Sequence, residues 1–345
     1  MKVLKMLDWR LSVVVLGSGL LITAASAAAP IKSTSPAATP GLVQYQTPQG
    51  VNYAAVVLPA PAAPRVAALP HDHIVLIDTS ASQAGDFRSR SIAMAGAVCR
   101  SLPAGDRVQL LAADVTTSSL TDGFVAIGSR QLQAGFDKLE ERVPLGSTNM
   151  ELALRTALQS FSGKRARSVL YIGDGFSTAQ LIQSSAMAKL LKDLRAAAVP
   201  VSSFAIGPRI DLILLGTLAQ HTGGVVNFDE PNQIADASET PAELSLSARE
   251  IARGMVAPVF YPEQIVTTPK IPSLYPQTLP PVRFDRETVL LGKDLSSDKL
   301  QVRLTGTLNG QPQEYSWTIV TETVSGSAGF VGQAWALAEG SQGLA

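Results

Sequence analysis

Five oxygen-bearing side chains follow buried-looking apolar runs or precede helices in this chain. Asp78, Ser80 and Ser82 alternate in Asp78-Thr79-Ser80-Ala81-Ser82, directly after the run Ile74-Val75-Leu76-Ile77. Thr148 stands in Gly146-Ser147-Thr148-Asn149, and Asp174 in Gly173-Asp174-Gly175 after Val169 to Ile172. An acid and two hydroxyls at alternate positions of one loop can turn three oxygens towards one point. Hard divalent cations take such ligands, at about 2.1 Å for magnesium. The expected chemistry is cation binding by oxygens delivered from three loops.

Loops can converge in this way only if regular elements hold them. Ile74 to Ile77 reads as a buried strand, and Ile92, Ala95, Val98, Cys99 and Leu102 then recur at helical spacing. Val108 to Ala112, Phe124 to Ile127, Val169 to Ile172, Val201 to Ile206 and Val225 to Phe228 read as further strands. Gln131 to Arg142, Met150 to Phe161, Ala179 to Ala198 and Leu212 to His221 read as helices between them. The alternation predicts an α/β fold, doubly wound, with a mainly parallel sheet flanked by helices. Such a sheet places its ligand crevice at the carboxyl ends of the strands, where Asp78 and Asp174 stand.

The flanks differ in composition. Lys2, Lys5 and Arg10 precede an uncharged stretch from Leu11 to Ala29 that ends in small residues, the pattern of a secretory signal over 1–27. The protein is therefore expected to be exported, with membrane attachment only if that signal is retained. Eight of the 22 prolines fall between Pro30 and Pro70, so 28–70 reads as a Pro-rich linker in which Leu42 to Gln46 and Val51 to Leu58 alone look strand-like. The main domain is expected over 71–229, a helical connector over 230–258, a small β-rich unit over 259–323 and a flexible tail over 324–345. Within the β-rich unit, Leu300, Val302 and Leu304 alternate with polar residues, as do Tyr315, Trp317 and Ile319, and Asn309-Gly310 between them is a hairpin signal.

Composition removes several classes of function. The 345 residues carry 28 Lys and Arg against 28 Asp and Glu, so no charge excess draws nucleic acid. One cysteine, Cys99, cannot form an internal disulfide. Neither a phosphate-binding loop, a dinucleotide fingerprint nor a nucleophile elbow occurs, which speaks against nucleotide and serine-hydrolase chemistry.

The set Asp78-x-Ser80-x-Ser82, Thr148 and Asp174-Gly175 resembles the metal-ion-dependent adhesion site of von Willebrand factor type A domains. Ala205-Ile206-Gly207, Asp211-Leu212 and Ala219 to Gly224 look like that family's last strand and helix, so the likeness spans His73 to Phe228. The resemblance implies that Ser80, Ser82 and Thr148 bind the metal through their hydroxyls, and that Asp78 and Asp174 act directly or through bound water. It implies magnesium, with manganese or calcium as alternatives, and a protein partner whose Asp or Glu carboxylate takes an open position on the ion. It implies an adhesion-type binding module and not an enzyme. One departure is Ala81-Ser82-Gln83, where the family often has Gly-Ser-Met. More weakly, Tyr275-Pro276, Leu279-Pro280-Pro281, Glu287 to Gly292 and Phe330 to Leu337 look like the region after the A domain in inter-alpha-trypsin inhibitor heavy chains and their bacterial relatives.

Two other functions are weighed beside this one. A structural or assembly component of the cell envelope could carry the same residues with an incidental metal. A phosphatase of the haloacid dehalogenase type also starts with an acid after its first strand, but it needs a second acid where this chain has Ser80. His71-Asp72-His73 reads as a solvated loop in preference to a second metal site, Lys164-Arg165-Ala166-Arg167 as a solvated basic turn, and Cys99 as core.

Overall fold

In the computed structural model, residues 41–62, 67–228, 241–295, 297–321, 331 and 333–336 are described. The predicted signal, over 1–27, lies outside them. So does the predicted flexible tail over 324–345, apart from residues 331 and 333–336, of which 331 and 333–336 are helical. The chain divides into two units. One comprises Pro64–Tyr261 with Thr307–Gln311, and the other comprises Pro262–Gly306 with the segments up to Ala63 and from Pro312.

The first unit is the predicted doubly wound α/β fold. Its sheet contains β3 (His71–Asp78), β4 (Arg107–Ala113), β5 (Thr117–Ser119), β6 (Val125–Ala126), β7 (Ala166–Gly173), β8 (Val201–Ala205) and β9 (Val226–Phe228). The order is β5-β4-β3-β7-β8-β9, with β6 also paired to β4. Neighbours from β4 through β9 run parallel, whereas β5 and β6 run antiparallel to β4. The intervening helices are α1 (Asp86–Ser101), α2 (Arg130–Glu141), α3 (Met150–Ser160), α4 (Ser184–Ala196) and α5 (Leu212–Thr222), followed by α6 (Pro241–Val256).

Strand periodicity sorts β3 between two cores. Val75 and Ile77 face one core with Val98, Leu110 and Ile172, while Ile74 and Leu76 face the other with Met150, Leu154 and Leu190. Each such side chain contributes roughly 1.5–3 kcal/mol when fully buried. Cys99 lies in the first core, where burial pushes its thiol up to about 12. Ala248, Ile251, Ala252 and Met255 of α6 belong to that core too, so the stretch expected as a connector covers a face of this unit. The α4 helix starts at Ser184 and not at Ala179, which leaves a long loop after β7.

The residues before Ile74 also differ from expectation. His71, Asp72 and His73 belong to β3, and Asp72 and His73 are buried. Arg107 and Arg165 both pair with Asp72, each at 2.8 Å or less. Arg165 further donates to His71 O and Gly105 O, and Arg167 to Ala197 O and Gly163 O. The basic turn is therefore tied down by backbone carbonyls and, through Arg165, by Asp72, and parallel pairing of β3 and β7 sets it beside the start of β3.

The second unit is an eight-stranded sheet. It contains β1 (Gly41–Gln46), β2 (Asn52–Leu58), β10 (Val259–Thr268), β11 (Ser273–Tyr275), β12 (Val282–Arg283), β13 (Thr288–Lys293), β14 (Lys299–Leu308) and β15 (Gln311–Thr321). The order is β11-β13-β2-β1-β15-β14-β10-β12. The stretch expected as linker over 28–70 therefore supplies two interior strands, with Leu42, Val56 and Leu58 fully buried. Its prolines lie outside β1 and β2, which leaves both strands able to donate on each edge. β14 alternates as predicted, with Leu300, Val302 and Leu304 buried, and Asn309 and Gly310 turn the chain with φ of 52° and 73°. Among the described residues no helix is long and apolar enough to cross a membrane.

Candidate functional site

The sheet reverses direction of growth beside β3: β4 is added on one side and β7 on the other. In an open α/β sheet such a switch point is where ligands bind, and Asp78 and Asp174 stand at the carboxyl ends of β3 and β7 there. Asp78 is the last residue of β3, and its carboxylate accepts three hydrogen bonds. Ser80 N (2.8 Å) and Thr148 Oγ1 (2.9 Å) donate to Oδ1, and Tyr171 OH (2.8 Å) donates to Oδ2. Ser80 Oγ and Ser82 Oγ are 2.9 Å apart. A hydroxyl that donates its proton keeps its lone pairs, so these hydrogen bonds leave the oxygens able to ligate.

Backbone bonds hold the three loops together. Ala81 N donates to Gly146 O (3.1 Å), Leu145 N to Thr79 O (3.1 Å) and Ala179 N to Thr148 O (3.1 Å). Asn149 caps α3 by accepting from Leu152 N, which fixes the residue after Thr148. Asp174 Oδ1 accepts from Phe176 N (2.9 Å), and its carbonyl accepts from Asp211 N (2.8 Å) ahead of α5. The structure thus links Asp78, Ser80, Ser82 and Thr148 in one hydrogen-bonded set and sets Asp174 near enough to repel Asp78.

Two supporting residues escape sequence reasoning. Tyr171 is fully buried in β7; besides donating to Asp78 it accepts from Gly175 N (3.1 Å), so it couples the two acid-bearing strand ends. Its only sequence signal is a phenol within the aliphatic run Val169 to Ile172. Gln83 is buried, and its Nε2 donates to Ile206 O (3.1 Å), which ties the Ser80–Ser82 loop to the end of β8. The departure at Gln83 therefore has a local structural purpose. Gly173 permits the close approach of these groups, because a Cβ there would lie 2.5 Å from Asp78 Cβ and from Tyr171 OH.

Electrostatics make the site unsatisfied as a pair of acids. Burial pushes the Asp78 carboxyl above its usual range; the bonds from Ser80 pull it back, and Asp174 pushes it up again. Asp78 and Asp174 are 2% and 3% exposed, and among the described residues no Lys or Arg pairs with either. Two buried carboxylates without a cation cost several kcal/mol, and a divalent ion removes that cost. The donor set of two acids and three hydroxyls fits a hard cation.

A pH dependence follows. An acid whose native pKa is raised binds more protons folded than unfolded, so stability of the metal-free chain falls as pH rises from the ordinary carboxylate range through the raised native value. Urea unfolding of the metal-stripped protein across that window should show this slope, and Asp78→Asn should flatten it. A wild-type slope of opposite sign that Asp78→Asn leaves unchanged would contradict this account of the site.

The first unit is thus a doubly wound α/β domain with oxygen donors at its switch point. Residues 72–228 match the family model described as von Willebrand factor type A domain. A von Willebrand factor type A protein from Catenulispora acidiphila aligns with a TM-score of 0.52 at 12% identity, covering 84% of this chain and 76% of that one. The human COPII-coat protein Sec24c aligns with a TM-score of 0.53 at 14% identity, covering 78% of this chain and only 46% of its own. At these identities the likeness is one of fold. No curated protein sequence matches the chain.

Proposed function

We propose that this protein is an exported, divalent-cation-dependent binding module that captures a carboxylate of a protein partner. The observation that carries the reading is the set of buried Asp78, Ser80, Thr148 and Asp174 with half-buried Ser82, at the switch point and with no basic counter-charge among the described residues. These five residues would hold magnesium, with manganese or calcium as alternatives. The bound ion would supply a positive centre able to accept one more oxygen ligand from the partner. Tyr171 and Gln83 position the donors and exclude water from beneath them.

The loops around the site support a protein as partner. Val115, Val143, Leu145, Leu181 and Ile213 are all more than half exposed; Val115 and Leu181 lie on the loops after β4 and β7, Ile213 in the first turn of α5 after β8, and Val143 and Leu145 on the loop between α2 and α3. Val115 packs over Gly146, and Leu145 is bonded through its backbone to Thr79 beside Asp78. An acidic side chain flanked by apolar neighbours matches this surface. Leu145→Ser is expected to weaken partner binding about tenfold, or about 1.4 kcal/mol, while magnesium affinity stays unchanged. Titration of the same preparation with magnesium and with the captured partner would check both halves.

The reading is of a binding module and not a catalyst. A hydrolase needs a base or nucleophile beside the ion. The two acids here are engaged by backbone and hydroxyl donors, and His71 and His73 lie at the opposite end of β3. Capture from the exporting cell should require magnesium and reverse with a chelator. Capture that survives both chelation and Thr148→Ala would move the assignment to a permanent assembly component, and metal-dependent phosphate ester turnover would move it to an enzyme.

A further inference from the structure

The end of the first unit's sheet opposite Asp78 and Asp174 carries a second cluster of donors, of different chemistry. His71 and His73 are two apart on β3 and so project from the same face, with rings stacked 5.3 Å apart and only 2° from parallel. Asp106 immediately precedes β4, which pairs with β3 in the register Asp72↔Arg107, so its carboxylate comes alongside both rings. His73 Nε2 is 3.1 Å from Asp106 Oδ2, and His71 Nδ1 is 3.9 Å from Asp106 Oδ1. One ligand atom from each of the three residues lies within 4.8 Å of the others. We propose that His71, His73 and Asp106 form a binding site for a transition metal ion of the zinc class, separate from the oxygen site.

Several features favour an ion over a closed hydrogen-bond network. The ring of His71 makes no hydrogen bond among the described residues, since 3.9 Å is too long for one. The remaining nitrogen of His73, Nδ1, is 2.7 Å from Ser168 Oγ, the kind of outer partner that fixes a ligating imidazole. Asp106 is held in place by the His71 backbone N–H at 2.7 Å. The nearby guanidiniums do not compete for it, because Arg107 and Arg165 are taken up by Asp72, which points from the other face of β3. Ligands of a tetrahedral zinc stand roughly 3.3 Å apart, so a small inward movement of the His71 ring would complete the set. That ring is partly exposed, which leaves the fourth position open to solvent. Imidazole nitrogens prefer zinc, copper and nickel to magnesium, so the two ends of the sheet would select different ions.

The test uses the full, metal-stripped chain, first saturated with magnesium to fill the oxygen site and then titrated calorimetrically with zinc. One zinc equivalent is expected, and cobalt in its place should give the intense visible absorption of a low-coordinate nitrogen and oxygen site. His71→Gln and Asp106→Asn should each weaken zinc at least about a hundredfold. Because His71 starts its strand and is not fully buried, its variant should keep its magnesium heat, which separates loss of the site from loss of the fold. Zinc binding that is absent in the wild type, unchanged in His71→Gln, or abolished by Asp78→Ala would overturn the proposal.

Discussion

Asp78→Ala should abolish magnesium binding, with at least a hundredfold loss of affinity, and partner capture should disappear with it. The expectation rests on how many bonds meet at this carboxylate. Asp78 collects Ser80 N, Thr148 Oγ1 and Tyr171 OH on its two oxygens, so its removal takes one of only two charges from the donor set and releases Thr148. Ligand charge is a main determinant of affinity for hard cations. Asp174→Ala should weaken the ion similarly, while Thr148→Ala should abolish partner binding with the melting temperature nearly unchanged. The variants differ in stability as well. Without metal, Asp78→Ala removes a buried acid whose ionisation burial already opposes, so unfolding of the apo form should not be strongly eased. Calorimetry with magnesium and manganese, beside thermal melts with and without each ion, checks the whole set. A wild-type chain giving neither heat nor a shift in melting temperature would remove the cation from the assignment.

Gly224→Ala should cost on the order of 4 kcal/mol or prevent soluble expression. This residue follows Gly223, which ends α5 in the left-handed conformation with φ of 87°. The chain then passes so close to β8 that a Cβ at 224 would lie 1.8 Å from Val201 O, 2.3 Å from Val201 C and 2.8 Å from Ser202 N. All three are backbone atoms of a buried strand, so no side chain can swing aside to make room. Relief would need β8 to part from the residues leading into β9, whose bonds Ser203 N to Val225 O (2.8 Å) and Val225 N to Ser202 Oγ (3.2 Å) close this edge. Denaturant unfolding compares the variant with Gly310→Ala, where the same change meets open space and costs only the strain of a positive φ. Equal stability of the two variants would refute the close-approach argument.

The parts legible in the sequence were those written in local periodicity. Apolar runs of four residues announced β3 and β7, because strands covered by helices on both faces bury their side chains on either side. Turn chemistry announced the Asn309-Gly310 hairpin. Boundaries were less legible where polar residues continue a buried strand: His71, Asp72 and His73 break the apolar pattern, yet pairing with β4 and β7 satisfies them. Proline content similarly made 28–70 read as a linker although β1 and β2 look strand-like there; they pair with each other, but the strands that make them interior stand more than two hundred residues away, as in Gly41↔Val320 and Leu58↔Thr288.

The order of strands and helices, with Asp78, Ser80, Ser82, Thr148 and Asp174 at their ends, is readable along the chain, since each placement depends on residues within a few positions. What stands behind and opposite them follows from contacts distant in the chain. Tyr171 reaches Asp78 across 93 positions, Gln83 reaches Ile206 across 123, and His73 meets Ser168 across 95. Such contacts come from the parallel register of β3 with its neighbours and from the reversal of sheet order beside it. Hydrophobic burial on both faces fixes that register, and no spacing within one segment encodes it.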